Sequence, residues 1–174
     1  MTDDFDDLIK RFSQTMATWK QQLKRYSYQE LCTQPDPESW SIGQVVLHLI
    51  EETNWYMDQL SVCLESDENK EEAPTDNFKN WLAQNGFPNK RFKGPADLPT
   101  PPQPGSKEAL LDQFNDLISR VRNMGKLIEE TESVGRAPHP GHGYLNAREW
   151  FQYAEMHMRH HFRQKDRIEA FLYD

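Results

Sequence analysis

The sequence predicts an all-α protein, a four-helix bundle, on three observations. Four segments carry apolar residues at three- and four-residue steps, each opens on a capping residue, and no segment shows convincing two-residue alternation. A chain of 174 residues with 36% hydrophobic content can bury a proper core as a single domain spanning 1–174.

The first helix is carried by Phe5, Leu8, Ile9, Phe12, Met16, Trp19 and Leu23, with Thr2 as its cap and acidic residues in its first turn. A linker containing Pro35 and Pro37 follows. Ser41 with Gln44 three residues on then forms a capping box for a second helix that runs to about Leu64, with a core stripe of Val45, Leu49, Tyr56 and Leu60. Ser106 caps a third helix, in which Leu110, Leu111, Phe114, Leu117, Ile118, Val121, Leu127 and Ile128 form the apolar stripe. Asn146, with Glu149 three residues later, opens the fourth, in which Trp150, Ala154, Met158, Phe162, Ile168 and Leu172 share one face.

Between the second and third helices, residues 65–105 hold seven prolines, which exclude a long helix, although DNFKNWLAQNG can form a short one. This is a long crossover connection. Its Phe78, Trp81, Phe87 and Phe92 imply that it packs down on the bundle, either as a partial lid over a pocket or as plain wrapping. Lys90, Arg91 and Lys93 within it are read first as a solvated basic turn and second as a contact for an anionic substrate.

Composition narrows the function classes. Lys and Arg number 20 against 28 Asp and Glu, a net charge of -8, and no helix carries a basic stripe, which argues against a nucleic-acid partner. The acidic, amphipathic start MTDDFDDLIK does not resemble a signal peptide, and no apolar run has the length to span a bilayer; a cytoplasmic protein without a membrane partner is expected. Cys32 and Cys63 are too few and too far apart for a CxxC site and are expected to be free thiols.

The chemistry concentrates in the last helix. His157 and His161 stand four residues apart, one turn above another, within the apolar face, and so should point at the core. Burying two imidazoles costs free energy unless each finds a carbonyl or carboxylate, or both share a cation. A shared cation requires a further ligand. His48 on the flank of the second helix is the best candidate, ahead of His160, of nearby carboxylates, and of His139 and His142, whose first role in their Pro/Gly turn is to shape the loop. His160 lies about 80° round the helix from the stripe, by the 100° per residue of an α-helix, as a flank or outer group. Gln164, one turn beyond His161, is placed to orient it. Glu52, one turn beyond His48, is the candidate general base on helix geometry alone, against a plainer role as a solvated acid or acceptor for His48. Trp40 is read as a core anchor at the start of the second helix. Three imidazoles leave positions for water, as in catalytic zinc sites, and accept nickel, zinc, copper or iron.

The segments PDPESWSIGQVVLHLIEE and HPGHGYLNAREWFQYAEMHMRHHFRQ, in this order along the chain, resemble the two signature regions of the DinB-like superfamily. Each motif alone is weak; together, at these ends of the chain, they are specific. The family comprises bacterial four-helix proteins, among them YfiT-type metal-dependent hydrolases and S-transferases that use a low-molecular-weight thiol. The resemblance implies an up-up-down-down bundle with long connections, and one divalent metal ion, usually nickel or zinc. It also implies frequent homodimers, and His48, His157 and His161 as the metal ligands. It does not select among a metal-dependent hydrolase acting on a small molecule, a thiol transferase and a non-catalytic metal or ligand binder.

Overall fold

The computed structural model describes residues 5–89 and 99–173. The expected cap Thr2, and Lys90, Arg91, Phe92 and Lys93 in the connection, lie outside the described residues. The long helices are α1 (Phe5–Arg25), α3 (Ile42–Glu65), α5 (Lys107–Glu130) and a fourth that divides into α6 (Ala147–His160) and α7 (Phe162–Tyr173). They form a four-helix bundle, joined by the short helices α2 (Tyr28–Cys32) and α4 (Asp76–Ala83).

Local chemistry fixes where the helices start. Ser41 accepts from the Gln44 amide while the Gln44 side chain accepts from the Ser41 amide, and Asn146 and Glu149 do the same for α6. Ser106 accepts from the Ala109 amide at the start of α5. Each cap satisfies amides that the first turn would otherwise leave unpaired. Most members of the expected stripes are buried, with Phe12, Trp19, Val45, Leu49, Leu60, Phe114, Trp150, Ala154 and Met158 all at or near zero exposure, whereas Leu127 of the third-helix stripe is exposed to solvent. Helix α3 lies against α6, α5 and α2, so a side chain on its flank faces the fourth helix.

Two features depart from the sequence reading. The turn before α6 is a hairpin of β1 (Arg136–His139) and β2 (Gly143–Asn146), antiparallel, with Ala137 opposite Leu145. Four-residue strands containing Pro138 give too short an alternation to recognise, and the pairing is stabilised from outside. The Thr75 amide donates to the His142 carbonyl and the Tyr144 amide to the Ala73 carbonyl. Gly143 sits at φ 80, with the Ala73 oxygen 2.6 Å from where a Cβ would stand, which leaves room for glycine alone.

The fourth helix also breaks at His161, without a proline or glycine to cause it. The cause is tertiary. One turn before the break, the Met158 carbonyl accepts the indole N–H of Trp19 at 3.0 Å, and the Trp19 ring stacks on Phe162 at 4.7 Å. A side chain that takes a backbone acceptor out of the helical ladder is an established source of kinks. His161 itself stays near helical, at φ -72 and ψ -10, and its amide still reaches the His157 carbonyl, so the four-residue relation of the two histidines survives.

The connection after α3 packs on the bundle through Phe78, which is fully buried, and through Trp81 and Phe87. Asn85, at φ 51, ends α4 in the left-handed conformation. Helix α6 holds that end: the Gln152 amide donates to the Leu82 carbonyl and the Arg159 guanidinium to the Asn85 carbonyl.

At Gly135 a Cβ would lie 1.9 Å from the Ser66 carbonyl oxygen, whereas at Gly141 it would meet nothing within 4 Å. Gly135→Ala is therefore expected to lower stability by about 2 kcal/mol or more, with Gly141→Ala near neutral. Urea unfolding midpoints of the two variants check this, and equal midpoints would contradict it.

Candidate metal centre

His48 enters from α3 and His157 from α6, with His161 at the break before α7. One ring nitrogen of each lies within 4.8 Å of the others. The Nε2 atoms of His157 and His161 are 3.2 Å apart. Two ligands at zinc–imidazole distance in tetrahedral geometry stand about 3.3 Å apart, so the pair is spaced for one shared cation. The His48 ring meets those of His157 and His161 at 5.3 and 5.0 Å between centroids.

Protonation favours the same arrangement. His48 is pushed down to about 4 by burial, and His161 to about 3 by burial and then by the His48 charge. Burial, followed by His161 and His48, depresses His157 well below its ordinary value. All three are neutral at pH 7, as ligands must be. Gln164 turns its side-chain oxygen to His161 Nδ1 at 2.8 Å, so that nitrogen donates and Nε2 keeps its lone pair for the shared centre. His157 Nδ1 is buried without a hydrogen-bond partner, which leaves Nε2 as the atom through which this ring can be satisfied. These donors fit a divalent ion of imidazole preference.

The remaining sequence candidates fall outside the ligand set. Glu52 is one turn from His48, and its carboxylate accepts from the Tyr56 hydroxyl at 2.9 Å. His139 and His142 stack on one another at 4.3 Å in the hairpin and pack on Trp150 and Phe78. Their loop-shaping role is visible: the Gly141 amide donates to His139 Nδ1. His160 is turned toward Phe87, with ring centroids 5.6 Å apart. Trp40 packs against the His48 ring at 5.2 Å and against the core, an anchor that also buttresses the site.

Sequence reasoning missed the tyrosines. Tyr56 presents its ring edge to His157 at 5.5 Å, and Tyr153 stacks alongside His157 at 6.2 Å. The two rings meet at 4.9 Å. Burial, then the neighbouring Tyr153 and Glu52, push the Tyr56 phenol well above its usual value, so it stays a donor. The signal was the four-residue step: His48, Glu52 and Tyr56 share one face of α3, and Tyr153, His157 and His161 one face of the fourth helix.

The DinB superfamily model matches residues 11–164. Among curated proteins, none matches the chain. In fold, the chain is similar to YfiT from Bacillus subtilis, described as a probable metal-dependent hydrolase with an unusual four-helix bundle topology. The TM-score is 0.59 at 15% sequence identity, over 97% of this chain and 90% of that one. With its bundle, its two histidine-bearing segments in order and a family match over most of its length, this chain belongs to the DinB superfamily.

Proposed function

We propose that this protein is a metal-dependent hydrolase of small molecules, with His48, His157 and His161 as the ligands of one divalent ion. The observation that carries the reading is the convergence of three neutral imidazole nitrogens from two facing helices on one half-buried point. The similarity in fold to a protein described as a probable metal-dependent hydrolase supports it. A divalent ion with three protein ligands supplies Lewis acidity and lowers the pKa of a water it binds.

The chain's own residues supply the rest. Gln164 holds the His161 tautomer, and Tyr56 fixes the Glu52 carboxylate one turn from His48. With an ion held by the three histidines, Glu52 would be the group to take the proton from the attacking water. Trp40, Tyr56 and Tyr153 wall the histidines with aromatic surface, which limits water and strengthens every charge interaction inside.

The test is hydrolysis of an ester and amide panel by protein loaded with zinc or nickel. Wild type is expected to turn over at least one class. His157→Ala, still helical by circular dichroism, is expected to lose activity, and Glu52→Gln to lose about 100-fold or more in kcat. Turnover that appears only when a low-molecular-weight thiol is added would move the assignment from hydrolysis to group transfer.

The depressed imidazoles also fix the sign of an acid effect. In the unfolded chain His48 and His161 take up protons as pH falls through their ordinary 6.5, whereas in the fold they stay neutral to about 4 and about 3. The unfolded state binds more protons in that window, so their contribution to stability is complete above pH 6.5 and is lost as pH falls toward 4. The Tm of metal-free protein is expected to drop between about pH 7 and 5, less steeply in His161→Gln. Equal slopes in the two proteins would contradict this.

A further inference from the structure

A cleft beside the three-histidine site is lined by Gly86, Phe87, Met156, Arg159, His160 and Arg163. Among the described residues no carboxylate lines it, although the chain as a whole carries a net charge of -8. Its floor is preorganised. Arg159 donates from Nε and Nη2 to the fully buried Glu155 carboxylate, at 3.0 and 2.9 Å, and from Nη2 to the Asn85 carbonyl at 2.8 Å. Glu155 thus offsets much of the Arg159 charge, but it grips the guanidinium from the core side. The remaining nitrogen, Nη1, faces the cleft, 3.9 Å from where a Cβ on Gly86 would stand.

Arg163 is exposed one turn further on, and Arg167 is close enough to act electrostatically on His160. The cleft therefore combines a guanidinium already ordered by three hydrogen bonds with a second, exposed one a turn further along the fourth helix. Ordered donors bind an anion without the usual entropy cost, and guanidinium is the side chain best matched to phosphate and carboxylate oxygens. The cleft also abuts the metal centre. Phe87 contacts both His160 and Tyr153, at 5.6 Å each, and Tyr153 stacks on His157; His160 and His161 are neighbours with ring centroids 5.7 Å apart.

We propose that this cleft binds the anionic group, phosphate or carboxylate, of the molecule whose reacting end lies at the three-histidine centre. Arg163 and Arg159 Nη1 are the anchors, and the Gly86–Phe87 turn is the opposing wall. That the anion belongs to the substrate rests on the hydrolase reading; that the cleft takes an anion does not.

The experiment is a titration of 15N-labelled full-length protein with inorganic phosphate and, separately, with succinate, at constant ionic strength. Saturable shifts are expected at the Gly86, Phe87 and Arg163 amides, with Arg163→Ala weakening binding about tenfold, the size of one charge-assisted contact. The anion that binds more tightly identifies the group. Shifts that never saturate, or an affinity unchanged in Arg163→Ala, would overturn the proposal. Zinc binding, measured in parallel, separates the two claims. Arg163→Ala is expected to keep zinc affinity, and His157→Ala to keep phosphate binding. A wild type that binds phosphate but no zinc would defeat the hydrolase reading alone, and one that binds zinc but neither anion would defeat the cleft proposal alone.

Discussion

The histidine-bearing helix is held in place by one buried carboxylate. Glu155 has no exposure; it accepts from Thr15 on α1 at 2.8 Å and from Arg159 on its own helix, and Arg11 of α1 stands 3.7 Å away. An ionised carboxylate inside a helical bundle is tolerated only when its oxygens are paired, and removing one partner of such a group costs far more than the group contributes when complete. The arrangement therefore has one register. A one-residue rotation of α6 would carry Glu155 away from Thr15 and His157 away from His48 together.

From that anchor the site follows in both directions along the helix. Two residues before Glu155, Tyr153 contributes to the aromatic wall; two residues after, His157 meets His48; and Arg159 reaches across to tie down the end of α4. The Trp19 indole completes the hold from α1 by taking the Met158 carbonyl. The break this accompanies leaves His161 at a helix terminus, where Gln164 and the start of α7 fix its ring. The three-histidine cluster and the neighbouring basic cleft are thus two faces of one helical element, and Arg159 belongs both to the contacts that position it and to the cleft.

Much of this was legible in the sequence. The caps at Ser41, Ser106 and Asn146 mark the helix starts because capping is local chemistry, decided within three residues. The pairing of His157 with His161 was legible for the same reason. That His48 completes the set was weaker as geometry, since nothing local says which flank of α3 meets the fourth helix; the family resemblance pointed to it. Features decided by distant partners were not legible. The break at His161 depends on Trp19, about 140 positions away in the chain, and the hairpin on Ala73 and Thr75. Glu155 reads as one more charged helix residue until Thr15 is placed beside it, and Tyr56 as core until its hydroxyl is seen to donate a hydrogen bond to Glu52.

The central claim is that three imidazoles from α3 and the fourth helix share one divalent ion. X-ray absorption at the metal edge, on protein reconstituted with one equivalent of zinc, tests it most directly. About three imidazole nitrogens are expected at roughly 2.0–2.1 Å, completed by a light-atom scatterer, with a loss of one imidazole in His48→Gln. A shell without imidazole scattering, or one unchanged in His48→Gln, would contradict it.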